Sequence, residues 1–236
     1  MATQKIQEDR LHIPLAKRSL DLALCLVALV FLGPLMLLAA ALIKLSSPGP
    51  VFYHAIRAGY KGRPFAELKF RTMHLNSDRF GSFTAKNDSR VFAVGRFLRL
   101  FKIDELPQIL NILRGEMSIV GPRPEDTDTV DKCYTPEQRR VLEVAPGLTG
   151  FPQVRFFPEL SMIDPGDMDP LEHYRRVILP MRLEMDLEYV RRQSFWLDIS
   201  LIARTIFLIA IKSWWVLLFG QDSVNIKTPA EVPQQQ

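Results

Sequence analysis

Asp104 and Glu105 are adjacent carboxylates set among cations, with Arg99 and Lys102 just before them and Arg123 between two prolines just after. Carboxylates kept ionised beside fixed cations suit the binding of a hard divalent ion and the handling of phosphate groups. Lys69 and Arg71 form a second candidate pair. They are two apart, so an extended segment puts both on one face, where they could clamp a phosphate. A plainer use competes for the two acids, because an Asp cap followed by Glu in the first turn stabilises a helix start by about 1 kcal/mol.

The elements that position these groups follow from local pattern. Leu106, Ile109, Leu110 and Leu113 recur at helical spacing, Pro107 fits the first turn, and Gly115 ends the run, so a helix starts near Asp104 with that residue as its N-cap. Both acids then face the positive end of the helix dipole, which predicts low pKa values for the pair. Val94–Phe101 reads as a short helix that delivers Arg99. Val51–Ala58 and Pro64–Arg71 read as a hairpin turning through Gly59-Tyr60-Lys61-Gly62, with Lys69 and Arg71 on its second strand. Thr135-Pro136-Glu137-Gln138 is a capping box, and further helices are predicted from about Leu171 and about Pro180, the second carrying Asp186. Asn76–Ser89 and Phe156–Asp169 read as loops.

The composition places the chain at a membrane. It has 236 residues, 47% of them apolar, and a mean hydropathy slightly above zero. The apolar excess sits in Leu22–Ile43 and Leu197–Phe219. Thirty basic residues against 26 acidic give a net charge of +4, which favours anionic partners such as lipid headgroups or nucleotides. Nucleic acid is excluded, because the two signs nearly offset and no basic-aromatic platform or recognition motif is present. Two cysteines, Cys25 and Cys133, form neither a disulfide framework nor a zinc spacing.

The uncharged run Leu22–Ile43 would reach about 33 Å as a helix, enough to cross a bilayer. Gly33-Pro34 lies at its midpoint, where proline removes a backbone hydrogen bond and a bend is expected. Basic residues flank the run evenly, with Lys5, Arg10, Lys17 and Arg18 before it and Lys44, Arg57, Lys61 and Arg63 after. Charge therefore gives no inside preference, and a kinked span, a hairpin that enters one leaflet and returns, and a signal peptide ending near Ala39-Ala40-Ala41 all stay open on these grounds. Phe195–Phe219 carries Asp198, Arg204 and Lys212, costly in a span, and Trp196, Trp214 and Trp215 near its ends, so it reads as a helix lying in the interface.

At Lys102–Gln108 and Gly115–Pro124 the sequence resembles the bacterial sugar transferases, the monotopic phosphoglycosyl transferases that begin glycan assembly on polyprenol phosphate. The resemblance extends to Lys17-Arg18 with Asp21, Ser47–Phe52, Lys69–Met73, Gly95–Arg99, Pro146–Gly150 and Gln153-Val154, in the expected order. It implies an α+β, mainly helical monotopic protein with a reentrant N-terminal helix-break-helix, a small β-hairpin and in-plane interfacial helices. The segments would be residues 1–16, a reentrant helix 17–46, a cytoplasmic catalytic domain 47–220 with interfacial helix 195–219, and a disordered tail 221–236. The implied reaction moves a sugar 1-phosphate from a UDP-sugar to polyprenol (undecaprenyl) phosphate with release of UMP. Asp104 would be the nucleophile and Glu105 would support Mg2+ beside it. Lys69, Arg71, Arg99, Arg123, Gln153 and Asp186 would contact phosphates, substrate or neighbouring acids.

The sequence departs from the family in two places. Gly33-Pro34 stands where Ser-Pro is usual, and Arg155-Phe156-Phe157 follows Gln153-Val154 where a polar segment with arginine is usual, leaving Arg155 as the replacement arginine. The resemblance also implies the cytoplasmic face of the bacterial inner membrane, is compatible with a homo-oligomer, and names neither sugar nor pathway. A non-catalytic reading, a membrane-anchored module that binds acidic lipid with Asp104 and Glu105 as helix caps, explains the charge but not the joint recurrence of these motifs.

Overall fold

A computed structural model describes residues 13–75, 77, 88–155 and 169–219. Most of residues 1–16, most of the loop Asn76–Ser89, most of Phe156–Asp169 and the tail from 221 lie outside the described residues. The described residues are mainly helical with two small sheets. Helix α1 covers Leu15–Ser46, and strands β1 (Phe52–Ala58) and β2 (Pro64–Phe70) follow as the expected hairpin. Helix α2 spans Ala93–Leu100 and α3 spans Gln108–Arg114. Strands β3 (Ser118–Val120) and β4 (Glu125–Asp126) lead to α4 (Thr127–Cys133). Strand β5 (Gly147–Thr149), α5 (Phe151–Arg155), α6 (Pro170–His173), α7 (Leu179–Arg192) and α8 (Phe195–Phe219) complete the order.

One sheet runs β2-β1-β4, and β3 pairs with β5 in parallel. That parallel pair sets the backbones of Gly121 and Gly147 against each other so closely that a Cβ on Gly147 would lie 2.1 Å from the Gly121 nitrogen. Only glycine permits the contact, and it fixes the root of the Gly121–Pro124 loop.

Helix α1 is apolar over most of its length yet buries only Asp21, Cys25, Ala39 and Ile43. Among the described residues it is the one helix long and apolar enough to cross a membrane. Helical structure continues through Gly33-Pro34 instead of stopping there, and Gly33 sits in open space. Both halves pack on the same body. Cys25 joins Ile109, Ile112 and Met117, while Ala39 and Ile43 join Phe70, Phe92, Leu98 and Ile103.

The family-like residues at the start of α1 are fasteners. Lys17 donates to the Val120 carbonyl (2.9 Å) and to Asp198 Oδ2 (2.6 Å), which ties α1 to β3 and α8. Arg18 donates to the carbonyls of Ile112 and Leu113 at the end of α3, the first of which also accepts from the Gly115 amide. Asp21 accepts from Ser118 Oγ and the Ile119 amide. Asp198 is thus buried in an ion pair, while Trp196, Ile206, Phe207, Ile211 and Trp214 on the same helix are exposed.

Two local expectations change. The capping box is present, with reciprocal bonds between Thr135 and Gln138, but it opens a 3-10 segment, Gln138–Glu143. The helices expected from Leu171 and Pro180 are one continuous rod, in which α6 passes through a π turn at Tyr174–Ile178 into α7. Pro180 lacks an N–H and crowds the carbonyl four residues back, and a wider turn at that point absorbs the mismatch.

Candidate active site

Asp104 and Glu105 lie on a 3-10 turn, Ile103–Glu105, between α2 and α3. Lys102 enters that turn at φ 58°, a left-handed conformation that costs energy for a residue with a Cβ. Helix α3 starts only at Gln108, and no side chain caps it. The expected N-cap role of Asp104 is therefore corrected: it sits a turn too early, and its carboxylate is free for other work. Asp104 Oδ1 is buried and has no hydrogen-bond partner among the described residues.

The cations converge unevenly on the pair. Lys102 Nζ lies 3.3 Å and Arg123 Nη2 3.7 Å from Glu105 Oε1. Lys69 reaches Glu67 at 3.1 Å and contributes to the field at both acids. Arg99 donates to Thr72 Oγ1 at 2.8 Å and faces Asp104 electrostatically. Burial would raise Glu105, but Lys102, Arg123 and Lys69 outweigh it and hold its carboxyl at about 2. Burial, then the neighbouring Glu105, pushes Asp104 up to about 6 against the pull of Lys102, Lys69 and Arg99. The expectation of two low values thus holds only for Glu105. Like charges side by side cannot share the cations equally, and their affinities for a proton separate.

Lys69 is held in place from α3. Asn111, fully buried, accepts from the Leu68 amide and donates to the Ala66 carbonyl and Glu116, so the strand bearing Lys69 is bolted to the helix that follows the acids.

Arg71 does not join Lys69 in a clamp. Its guanidinium donates to Ser47 Oγ and to the carbonyls of Ser47, Pro48 and Pro50, so it secures the turn that leaves α1. Arg155 is likewise elsewhere. It pairs with Glu188 on the surface and stacks on Phe151, 4.3 Å from the ring centre.

Asp186 does lie near the site, on α7. Its carboxyl is pushed up to about 7 by burial, opposed by Arg182 and by the backbone and guanidinium of Arg123. Five residues of this region, Arg182, Glu125, Tyr174, Arg57 and Glu67, are not among the site residues expected from sequence. Arg182 donates to Glu125 Oε2 and to the Tyr174 hydroxyl, both at 2.5 Å, Tyr174 donates to Glu125, and Arg57 bridges Glu67 and Glu125. The Arg182 and Asp186 spacing of four on one helix was the signal available. Glu125, 57 residues away, had none.

A cavity of about 890 Å³ opens beside these groups. Arg99, Lys102, Glu105, Arg123 and Arg182 line one part of it, and most of the rest is apolar residues of α1, α3 and α8, including Leu24, Phe31, Ile109 and Ile206, with Thr149, Gln153 and Thr205 on one wall.

The chain belongs to the bacterial sugar transferase family, whose profile matches residues 13–212. It is similar, at 40% identity over 84% of its length, to a UDP-glucose:undecaprenyl-phosphate glucose-1-phosphate transferase of Caulobacter vibrioides, of which it covers 70%. A protein of the same description from Escherichia coli is 37% identical over 82% of this chain, and a UDP-N-acetylgalactosamine-undecaprenyl-phosphate N-acetylgalactosaminephosphotransferase of Aeromonas hydrophila is 37% identical over 80%. The chain spans about two fifths of the length of these last two, 40% and 42%.

Proposed function

We propose that this chain transfers a sugar 1-phosphate from a UDP-sugar to undecaprenyl phosphate, releasing UMP, as a first membrane step of glycan assembly. The observation that carries the reading is Asp104, whose buried Oδ1 has no partner among the described residues, set among Lys102, Lys69 and Arg99, with Arg99, Lys102 and the adjacent Glu105 lining the charged part of a mainly apolar cavity. Relatives with two different sugars in their descriptions leave the sugar open.

In this reading an Asp104 oxygen attacks the β-phosphorus of the UDP-sugar. A phosphorus–oxygen bond to Asp104 forms, the bond to the bridging oxygen breaks, and UMP leaves with that oxygen. An oxygen of undecaprenyl phosphate then attacks the same phosphorus, forming a diphosphate-linked lipid and freeing Asp104. A carboxylate nucleophile lets two bulky partners use one site in turn. Arg99, Arg123 and Lys69 offset the phosphate charge, the main service phosphoryl transfer asks of a protein.

Among the described residues no group of three or more ligating side chains is present, so a cage built by the protein alone does not fit. Two adjacent acids, one with an unpartnered oxygen, fit Mg2+ completed by water and substrate phosphates. Bound there by Asp104 and Glu105, Mg2+ supplies charge neutralisation at the diphosphate.

We read α1 as reentrant, with the catalytic body on the cytoplasmic face of the bacterial inner membrane and α8 in the interface. Support comes from Lys17, Asp21 and Cys25 at one end and Ala39, Ile43 and Ser47 at the other, all docked on the same folded body. A membrane that covers the exposed middle, including Val30, Phe31 and Leu37, then has both ends on one side. The test of the reaction is UMP release from a panel of UDP-sugars with undecaprenyl phosphate and Mg2+, comparing wild type with Asp104→Asn.

A further inference from the structure

Gln153 opens a question that the acid pair does not answer. Its amide nitrogen and oxygen are both buried, and neither has a hydrogen-bond partner among the described residues. A buried amide left unpaired forfeits the hydrogen bonds it makes in water, so folded proteins rarely keep one without a use for it. Gln153 lines the large cavity together with Leu148, Thr149, Pro152 and Thr205. The polar neighbours there are already occupied, since the hydroxyls of Thr149 and Thr205 bond to each other at 2.7 Å and Thr205 donates to the Leu201 carbonyl. The amide is the group on this wall with both a donor and an acceptor to spare.

Its position ties it to the phosphate end. A Cβ at Gly150 would lie 3.5 Å from Gln153 Oε1 and 2.6 Å from the Gly121 carbonyl, so the amide sits beside the root of the loop that carries Arg123 two residues on. An isoprenoid chain offers neither donor nor acceptor, and against one both amide atoms would stay unpaired. A phosphate accepts only, which leaves the amide oxygen without a donor. The imide edge of uracil presents an N–H donor beside a carbonyl acceptor on a rigid plane, and a glutamine amide meets that pattern with two parallel bonds, as amides do with nucleobase edges generally.

We propose that Gln153 reads the imide edge of the uracil in the nucleotide substrate, with Leu148 and Pro152 as apolar wall beside it. The inference rests on the reading of a UDP-sugar as substrate and adds the residue that recognises its base.

Binding of UMP and of N3-methyl-UMP to the detergent-solubilised full chain, measured by calorimetry, tests it without relying on turnover. Wild type is expected to bind UMP about tenfold more tightly than N3-methyl-UMP, the discrimination typical of one bidentate pair. Gln153→Ala and Gln153→Met, the second filling the same volume, should each weaken UMP and bring the two ligands within about threefold, with the apparent affinity for undecaprenyl phosphate unchanged. Equal binding of the two nucleotides by wild type would overturn the proposal with no variant needed. So would a preference that survives in a folded variant, or a loss confined to undecaprenyl phosphate. Wild type that binds no UMP at all and releases none from any UDP-sugar would mark failure of the substrate reading itself.

Discussion

Arg123 Nη2 lies 3.7 Å from Glu105 Oε1, a contact that joins the Gly-Pro-Arg-Pro loop to the turn before α3. That contact, with Lys102 on the same oxygen, pairs Glu105 with two cations and leaves Asp104 with the unpartnered oxygen. Two residues of similar chemistry become a fixed anion and a free one.

Replacing the free one should stop the reaction and spare the fold. Asp104→Asn removes the carboxylate proposed to attack but keeps shape and polarity, and Asp104 caps no helix. UMP release should fall by at least about 10³-fold, the scale seen when a nucleophile is lost. Circular dichroism and melting temperature should stay close to wild type. Turnover at the wild-type rate would remove Asp104 from the mechanism.

Arg71→Lys should act on stability, not on substrate. Lysine keeps the charge but cannot make the four bonds to Ser47, Pro48 and Pro50, so a loss of about 2–4 kcal/mol is expected in denaturant unfolding. The KM for the UDP-sugar should hold in the protein that remains folded. A raised KM with unchanged stability would return Arg71 to the phosphate clamp that its spacing from Lys69 suggested.

Glu125 links stability to pH. Burial alone would raise its carboxyl, but Arg182, Tyr174 and the Asp126 amide pull it down to about 2 from an ordinary 4.5. A carboxylate depressed in the folded state stabilises it fully above pH 4.5, and the contribution fades as pH falls toward 2. Glu125→Gln should cost about 3 kcal/mol at pH 7 and flatten acid destabilisation between pH 5 and 3, read from urea midpoints across that range. Parallel pH curves for the two proteins would show that the pair with Arg182 contributes nothing.

The proposed Mg2+ role predicts metal dependence. EDTA should abolish UMP release and Mg2+ should restore it, with Ca2+ a poor substitute, because its longer bonds would displace the phosphate from Asp104. Full activity in EDTA would assign all charge neutralisation to the arginines and Lys69.

The path of α1 is open to labelling. In a Cys133→Ser background, Leu15→Cys before the apolar run and Glu137→Cys on the folded body should both resist an impermeant thiol reagent in intact cells and both react after lysis. Cys25 is buried. Reaction of Leu15→Cys alone in intact cells would mean that α1 spans.

Local rules sufficed for the parts of this protein whose partners are near in sequence. The hairpin, the helix run that Gly115 ends, the Thr135 and Gln138 box and the clustering of Arg99, Lys102 and Asp104 with Glu105 all rest on separations of a few residues, where periodicity and capping chemistry decide. What an arginine or a carboxylate binds across the fold is a different matter. Arg71 and Arg123 are equally plausible phosphate ligands as residues, but one spends its donors on Ser47, Pro48 and Pro50 and the other faces Glu105. The pairing of Glu125 with Arg182, 57 positions apart, left no mark on any local pattern. The sequence by itself determined the hairpin, the helix that Gly115 ends and the residue types at the site. Only the tertiary structure decided which charges pair and which stay free, because each ion is fixed by neighbours that long-range packing alone brings within reach.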